Sequence, residues 1–298
     1  MRFLFFTFIS LFFLQASAQT KGPSVLIVIA HPDDESGFAA TIYKITHELH
    51  GNADLLLVTN GEGGYKYSTL AESIYGVELT DEKVGRKELP AIRKKELMNA
   101  GKILGIHNFY FMDQKDAHYG LDEREPLDTS WNVAAVSQKL HDVLLKNKYD
   151  YVFCLLPVPE THGGHKGASL LALRAVKALP ENQRPIILGG GVSLKSDTTQ
   201  RKFSQLKDYT ETHVEGNGLA MFAMDRTTKF GFKNALNYKI IVNWEIAEHK
   251  SQGVMQMGMG YGDIENFWYF SINPAGGQEK CKALFEALKI APYKTKKY

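Results

Sequence analysis

The sequence predicts an α/β fold: a mostly parallel sheet with helices on both faces, plus strand and helix additions at the C-terminal end. Short apolar runs at 25–29, 54–59, 109–112, 151–156 and 185–188 have the length of buried strands. Stretches with helical spacing separate them, and strand–helix alternation of this kind builds a parallel sheet covered on both sides. Histidines and acids gather where these strands end, which in an open α/β sheet is where ligands bind. The right-handed crossover rule then favours the strand order 3-2-1-4-5, with strands 1 and 4 side by side.

Residues 1–18 read as a secretory signal rather than as structure. Arg2 precedes an apolar run at 3–14 and the small residues Ala16-Ser17-Ala18, so cleavage is expected after Ala18. Residues 19–298 then read as one domain, long enough for a large core. No later stretch approaches membrane-spanning length. A formal net charge of +2 gives no basic field for nucleic acid, and the lysines at 294–297 read as a solvated end. Cys154 in an apolar run and Cys281 in a late helix read as small buried hydrophobes, with one disulfide as the alternative in an exported chain. No cysteine pair has zinc-finger spacing, so any metal here takes nitrogen and oxygen ligands.

The first strand ends in Ala30-His31-Pro32-Asp33-Asp34-Glu35, and a helix is expected over 36–50. Acids favour a helix start, but that preference explains neither His31 nor the crowding of three carboxylates. The second strand ends in Asn60-Gly61-Glu62-Gly63-Gly64, a sharp turn that makes Glu62 a candidate site residue. Residues 66–89 are polar and irregular, the pattern of a lid or binding loop, with Tyr67 and Tyr75 in it. Pro90 is expected to start a helix that Gly105 closes, with Arg93 and Glu96 on one face as a surface ion pair or as site residues.

The third strand carries Asp113 at its carboxyl end, and a polar loop follows over 114–130. Val133, Val136, Leu140, Val143 and Leu144 then form one apolar stripe of a helix over 131–146. The fourth strand runs into Glu160-Thr161-His162-Gly163-Gly164-His165, with a helix expected over 166–179. The fifth ends in Gly189-Gly190-Gly191. Beyond 192 the expectation is a strand at 238–242, a helix at 245–251, a strand at 267–270 and a last helix at 278–288. Glu-Thr-His recurs at 211–213, which makes His213 a marginal candidate.

With strands 1 and 4 adjacent, the His31 and His165 turns face each other although far apart in the chain. His31, Asp34 and His165 make a candidate set of two imidazoles and a carboxylate; catalytic zinc uses three protein ligands and lowers the pKa of a bound water to about 7. Asp33 is then free to act as general base, and His162 to stabilise an oxyanion. Competing signatures fail: there is no Gly-x-Ser-x-Gly elbow and no Walker A loop, and Gly258-Met259-Gly260-Tyr261-Gly262 lacks dinucleotide spacing.

These residues together resemble the PIG-L/LmbE-like N-acetylglucosaminyl deacetylases, metal-dependent amidases with a Rossmann-like fold. The resemblance rests on the motif at 30–35, Thr59-Asn60-Gly61-Glu62, Arg93 with Glu96, Leu104-Gly105, Asp113, His162 with His165, and Glu248-His249-Lys250-Ser251-Gln252, and it covers most of 24–252. It implies His31, Asp34 and His165 as metal ligands, Asp33 as base and His162 as the group that stabilises the tetrahedral intermediate. It also implies Glu62, Arg93 and Asp113 as contacts to sugar hydroxyls. The implied metal is Zn2+, with Fe2+ also able to accept two imidazoles and a carboxylate. The family commonly reads His-Pro-Asp-His where this chain has Gly163-Gly164 between the histidines. A carboxylate that orients a histidine is thereby lost, and Glu160 is the nearby acid.

The expected protein is therefore exported, periplasmic or extracellular, and is a zinc-dependent N-deacetylase. It takes the acetyl group from an N-acetylated amino sugar or glycoconjugate. The alternatives are a hydrolase of another amide or ester, and a non-catalytic sugar-binding protein that keeps the crevice; the presence of Asp33 argues against the latter.

Overall fold

A computed structural model describes residues 22–293. The expected signal at 1–18 and the lysine-rich tail at 294–297 lie outside the described residues. Strand β1 (Ser24–Ile29) pairs in parallel with β2 (Asn52–Thr59), and β2 in turn with β3 (Ile106–Gln114). On its other side β1 pairs with β4 (Tyr151–Leu155), and β4 with β5 (Ile186–Ser193). The expected order 3-2-1-4-5 is therefore present, and two antiparallel strands extend it: β6 (Phe222–Asp225) lies beyond β9 (Ile264–Tyr269), which borders β5.

The uniform apolarity of β1 has a direct cause. Val25, Ile27 and Ile29 face one core with Phe38, Leu97, Ile241 and Phe285, while Leu26, Val28 and Ala30 face another with Leu140, Leu171 and Val176. A strand covered on both faces has no solvent side on which to place polar residues.

The helices depart from expectation in instructive ways. The run after β1 opens as a 3-10 turn (Asp34–Phe38), tightens into α1 (Ala39–Tyr43) and widens into a π-helical turn (Lys44–Glu48), instead of one helix over 36–50. The 66–89 segment is mostly helical rather than a structureless lid: two 3-10 turns lead into α2 (Glu72–Tyr75), and α3 (Glu82–Leu104) begins well before Pro90. Asp81 caps α3 by accepting from the Val84 N–H, so Pro90 falls inside the helix and leaves the Arg86 carbonyl without its usual donor. Helix α4 (Val133–Asn147) has the expected stripe, and α5 (Gly163–Ala178) starts three residues earlier than expected. Gly163 is needed there because a Cβ would come within 2.3 Å of the Asp122 carbonyl oxygen.

The three glycines of β5 continue that strand rather than end it; a Cβ on Gly190 would lie 2.0 Å from the Phe38 ring. The hairpin of β7 (Lys229–Phe230) and β8 (Leu236–Asn237) precedes α6 (Lys239–Glu248). The expected strand at 238–242 is thus a turn residue, Tyr238, followed by helix, because Ile241, Val242, Glu245 and Ile246 recur at helical spacing on one buried side. Helix α7 (Gly253–Met257) follows, and α8 (Gly277–Leu288) closes the described chain as expected. Cys154 and Cys281 are both buried free thiols. Among the described residues no helix is long and apolar enough to cross a membrane.

The C-terminal additions brace the first turn of the sheet. Glu265 on β9, fully buried, accepts from the N–H groups of Ala40 and Thr41 at 2.9 Å each, and its carboxylate pairs with Arg226 Nε at 2.9 Å. Arg226 in turn donates to the carbonyl of Ser36. Removing one partner of a buried pair strands the other charge, so Glu265→Ala is expected to cost about 3–5 kcal/mol. Urea unfolding measures it; a loss below about 1 kcal/mol would mean that Arg226 is compensated elsewhere.

Candidate active site

Strand β1 delivers His31 to the carboxyl end of the sheet, and the chain then reverses through Pro32 and Asp33. Asp33 has φ 141, a backbone conformation that L side chains rarely adopt. Asp34 folds back onto the same turn, its Oδ2 accepting from the N–H groups of Ala30 (3.1 Å) and His31 (2.8 Å). Its carboxylate lies between two imidazoles: Oδ2 is 3.5 Å from His31 Nδ1, and Oδ1 is 3.0 Å from His165 Nε2. His165 comes from the first turn of α5, directly after β4. The His31–His165 juxtaposition expected from the strand order is therefore present, with ring centroids 4.9 Å apart.

His162 stands just before α5, its ring 4.8 Å from that of His31. Each histidine is oriented by a group other than the expected carboxylate. Thr161 Oγ1 lies 2.9 Å from His165 Nδ1, the carbonyl of His118 lies 3.3 Å from His162 Nε2, and Asp116 Oδ1 lies 3.7 Å from His31 Nε2. Glu160 is exposed and takes no part.

The residues expected to contact sugar divide. Glu62 lies buried beside the site, its Oε2 without a partner, and burial pushes its carboxyl up. Arg93 is buried and used by the protein itself: Nη1 donates to the Gly61 carbonyl (2.5 Å), and Nη2 to the Pro32 carbonyl (2.6 Å) and to Asp33 Oδ2 (2.9 Å). Glu96 is buried as well and accepts from Ser251 and Tyr75, so Arg93 and Glu96 form no surface pair. Asp113 is not brought to the site. It is exposed and paired with Lys94, because β3 runs on to Gln114, past the expected end. The acid that reaches the crevice is Asp116, whose Oδ2 also accepts from the Gly63 N–H at 3.1 Å. His213 is exposed and does not join the histidines.

The electrostatics follow from this crowding. Burial opposes charge on His31, but the carboxylates of Asp116 and Asp34 outweigh it and raise the ring to about 10. Burial likewise opposes ionisation of Asp34 and Asp116, yet the neighbouring imidazoles hold both below the usual carboxylate range. Asp33 goes the other way: burial raises it, Arg93 only partly offsets this, and the negative charge of Asp34 adds to the rise. Burial and the charges of His31 and His165 push His162 down to about 4. Neighbouring carboxylates whose proton affinities are pushed in opposite directions are a separation that acid–base catalysis can use.

The donor set fits a divalent cation. Ligands at about 2.0–2.1 Å around a tetrahedral ion lie roughly 3.3 Å apart, and the Asp34 oxygens stand 3.0 and 3.5 Å from the two imidazoles. The ring nitrogens of His31, His162 and His165 also lie within 4.8 Å of one another, and His162 Nδ1 is buried without a partner. Beside these groups a cavity of about 110 Å³ is lined by His31, Asp116, His118, Leu121, Trp131 and His162.

Residues 26–176, just over half of the chain, match the sequence model of a family described as PIG-L, GlcNAc-PI de-N-acetylase. The chain belongs to the PIG-L family. Similar curated proteins include the probable N-acetyl-alpha-D-glucosaminyl L-malate deacetylase 2 of Bacillus cereus, 23% identical over 163 residues, which are 55% of this chain and 65% of that one. The protein of the same name from Bacillus anthracis is 31% identical over 164 residues, 54% of this chain and 62% of the relative. The matches thus span less than two thirds of these relatives' length. Among solved structures, a deacetylase triple mutant of the teicoplanin biosynthetic pathway superposes with TM-score 0.53 at 14% identity, over 83% of this chain and 97% of that one. The 4-carboxy-2-hydroxymuconate hydratase GalB of Pseudomonas putida KT2440 does so with TM-score 0.51 at 14% identity, over 83% and 95%. At such identities the likeness is one of fold, and that fold carries more than one kind of reaction.

Behind the PIG-L turn motif lies a second cluster. Glu35 Oε1 is 2.7 Å from His249 Nε2, which is 3.2 Å from Glu245 Oε1, and all three side chains are fully buried. Burial raises the Glu245 carboxyl to about 8, the charge of Glu35 adds to this, and His249 opposes it. His249 itself is raised well above 6.5 because Glu35 and Glu245 outweigh its burial. Both groups hold protons that the unfolded chain releases, so stability falls as pH rises from about 4.5 to about 8 for Glu245 and above 6.5 for His249. Glu245→Gln cannot release its proton and is expected to flatten the fall in Tm between pH 5 and pH 8. An unchanged pH slope in thermal melts would remove Glu245 as its source.

Proposed function

We propose that this protein is an exported, metal-dependent hydrolase that removes the acetyl group from an N-acetylated amino sugar or glycoconjugate. The observation that carries this reading is the Asp33–Asp34 turn. One carboxylate is held between two imidazoles, and its neighbour is held apart by Arg93 in a strained backbone conformation. Membership of the PIG-L family and similarity to proteins named as N-acetylglucosaminyl malate deacetylases support the choice of bond and substrate class.

His31, Asp34 and His165 would hold a divalent ion, zinc by default with Fe2+ as the alternative for this donor set. When bound, the ion supplies a Lewis acid for the acetyl carbonyl and makes water more acidic. Asp33 takes a proton from the attacking water as oxygen bonds to the carbonyl carbon. In the free protein His162 is neutral near pH 7, with its one N–H, on Nε2, directed at the His118 carbonyl and its Nδ1 bare, so it would stabilise the developing oxyanion only after taking up a proton at Nδ1. As the C–N bond breaks, the proton held by Asp33 passes to the leaving nitrogen, giving acetate and a free amine. Asp116, which lines the cavity, and Glu62 would be the candidates to meet hydroxyls of the sugar, whereas Arg93 would serve by fixing Asp33. Export after cleavage behind Ala18 belongs to the same reading, and N-terminal sequencing of protein from its native host tests it: Gln19 is the expected first residue, and a retained Met1 would sink it.

Base and ligand are separable by experiment. Asp33→Asn keeps the size of the side chain but cannot take a proton, so it should keep its metal and lose activity by about 10²–10⁴-fold. Asp34→Asn exchanges an anionic ligand for a neutral amide and should lose metal first, with excess zinc restoring part of the activity. Acetate release measured against added metal distinguishes the two; rescue of Asp33→Asn but not Asp34→Asn would reverse the roles. His165→Ala, left with two ligands, should hold metal weakly, and full occupancy by elemental analysis would exclude it from the site.

A further inference from the structure

Asp33 is held from two directions, and only one of them involves its side chain. Arg93 takes the carboxylate. The backbone N–H of Asp33 donates to Glu35 Oε2 at 3.0 Å, a bond made beneath the turn. The other oxygen of Glu35 meets His249 Nε2 at 2.7 Å, and both side chains are fully buried. Backbone in the conformation of Asp33 is costly and persists only where its surroundings over-determine it.

His249 is well placed to be a fixed point. It follows the last turn of α6, and its carbonyl accepts from the Gln252 N–H (3.0 Å) and from Gln256 Nε2 (3.0 Å). Two residues on, Ser251 donates through its N–H (2.8 Å) and hydroxyl (2.6 Å) to Glu96, and its carbonyl accepts from Ser68. Glu96 lies on α3, the helix that also carries Arg93. The segment 249–252 is therefore tied to the helix that grips Asp33 from the other side.

We propose that His249 is a positioning residue for Asp33: its bond to Glu35 fixes the acceptor that holds the Asp33 backbone in its strained conformation. This rests on Asp33 acting as the base, as proposed above. His249 touches neither the candidate ligands nor the crevice, so its effect is on the rate of the chemical step and not on metal or substrate affinity. Residues more than two hundred positions after the turn thereby take part in setting its geometry.

The test compares the parent protein with His249→Ala, His249→Gln and, as reference, Asp33→Asn. Acetate release from N-acetylglucosamine conjugates gives kcat and KM, with metal content by elemental analysis and Tm measured alongside. A misplacement of about 1 Å costs on the order of 10²-fold in rate. His249→Ala is therefore expected to lose roughly 10- to 100-fold in kcat, with KM and bound metal unchanged. His249→Gln, whose amide N–H can reach Glu35, is expected to recover most of that loss. A parent-like kcat in His249→Ala beside a dead Asp33→Asn overturns the proposal and leaves the base assignment standing. So does equal loss in both His249 variants, or loss that tracks metal content. An active Asp33→Asn overturns the base assignment itself, and this proposal with it. If His249→Ala does not fold, Glu35→Asp shortens the link by one methylene and keeps the charge. A fall in kcat at constant KM and metal then supports the proposal, and a parent-like kcat overturns it.

Discussion

The structure depends on holding one unfavourable backbone turn in place. Asp33 adopts a positive φ at the end of a strand buried on both faces, with His31 on one side and Asp34 on the other. Left to its own preferences the chain would relax there, and the two carboxylates would lose their separate directions. Its anchors are Arg93, which draws in the carbonyls of Gly61 and Pro32 as well as the Asp33 carboxylate, and Glu35, which takes the Asp33 N–H. Each anchor is itself buried and charged, and so each needs further partners. That requirement propagates outward through the fold.

The propagation explains the C-terminal additions. Among the described residues none after 192 supplies a histidine or acid to the crevice, yet this part of the chain places fully buried Glu265, Glu245 and His249 against the back of the first turn. Glu265 caps α1 and holds Arg226, which reaches the carbonyl of Ser36. His249 holds Glu35. The family match ends at residue 176, before any of these groups. The matched segment carries the crevice histidines and acids, and the remainder adds buried partners to the groups that support them.

Much of this was legible in the sequence. Strand positions follow from apolar runs, and the meeting of His31 with His165 follows from strand order alone. Asp116 escaped because the third strand runs two residues past its apolar core, which moved the acid at its end from 113 to 116. Residues 238–242 escaped because a β-branched run reads as a strand until the buried side at helical spacing is seen, and packing on that side overrides local preference. The pairing of His249 with Glu35 carried a partial signal: Glu245 and His249 are four apart on one helix face. No local pattern, however, joins a late helix to the first turn. Arg93 and Glu96 show the same limit, since helical spacing places both on one face but cannot tell that the face is buried and that each residue serves a different partner.

The charges at the crevice share a sign logic that family membership alone does not supply. Asp34 and Asp116 stay ionised against the cost of burial because imidazoles stand between them, and His31 is raised for the same reason. A site that lowers two acids and raises the base between them is built to hold positive charge. A proton on His31 meets that demand in the free protein; a divalent cation would meet it more fully, because it would satisfy Asp34 and both imidazoles at once and displace the proton. Asp33 is excluded from this arrangement by Arg93 and by the direction its strained backbone imposes. Its carboxylate is raised where its neighbour's is lowered, so adjacent residues of one type acquire opposite proton affinities from the two sides of a single turn. Strain at Asp33 is thus the means by which the turn keeps two adjacent carboxylates in different surroundings.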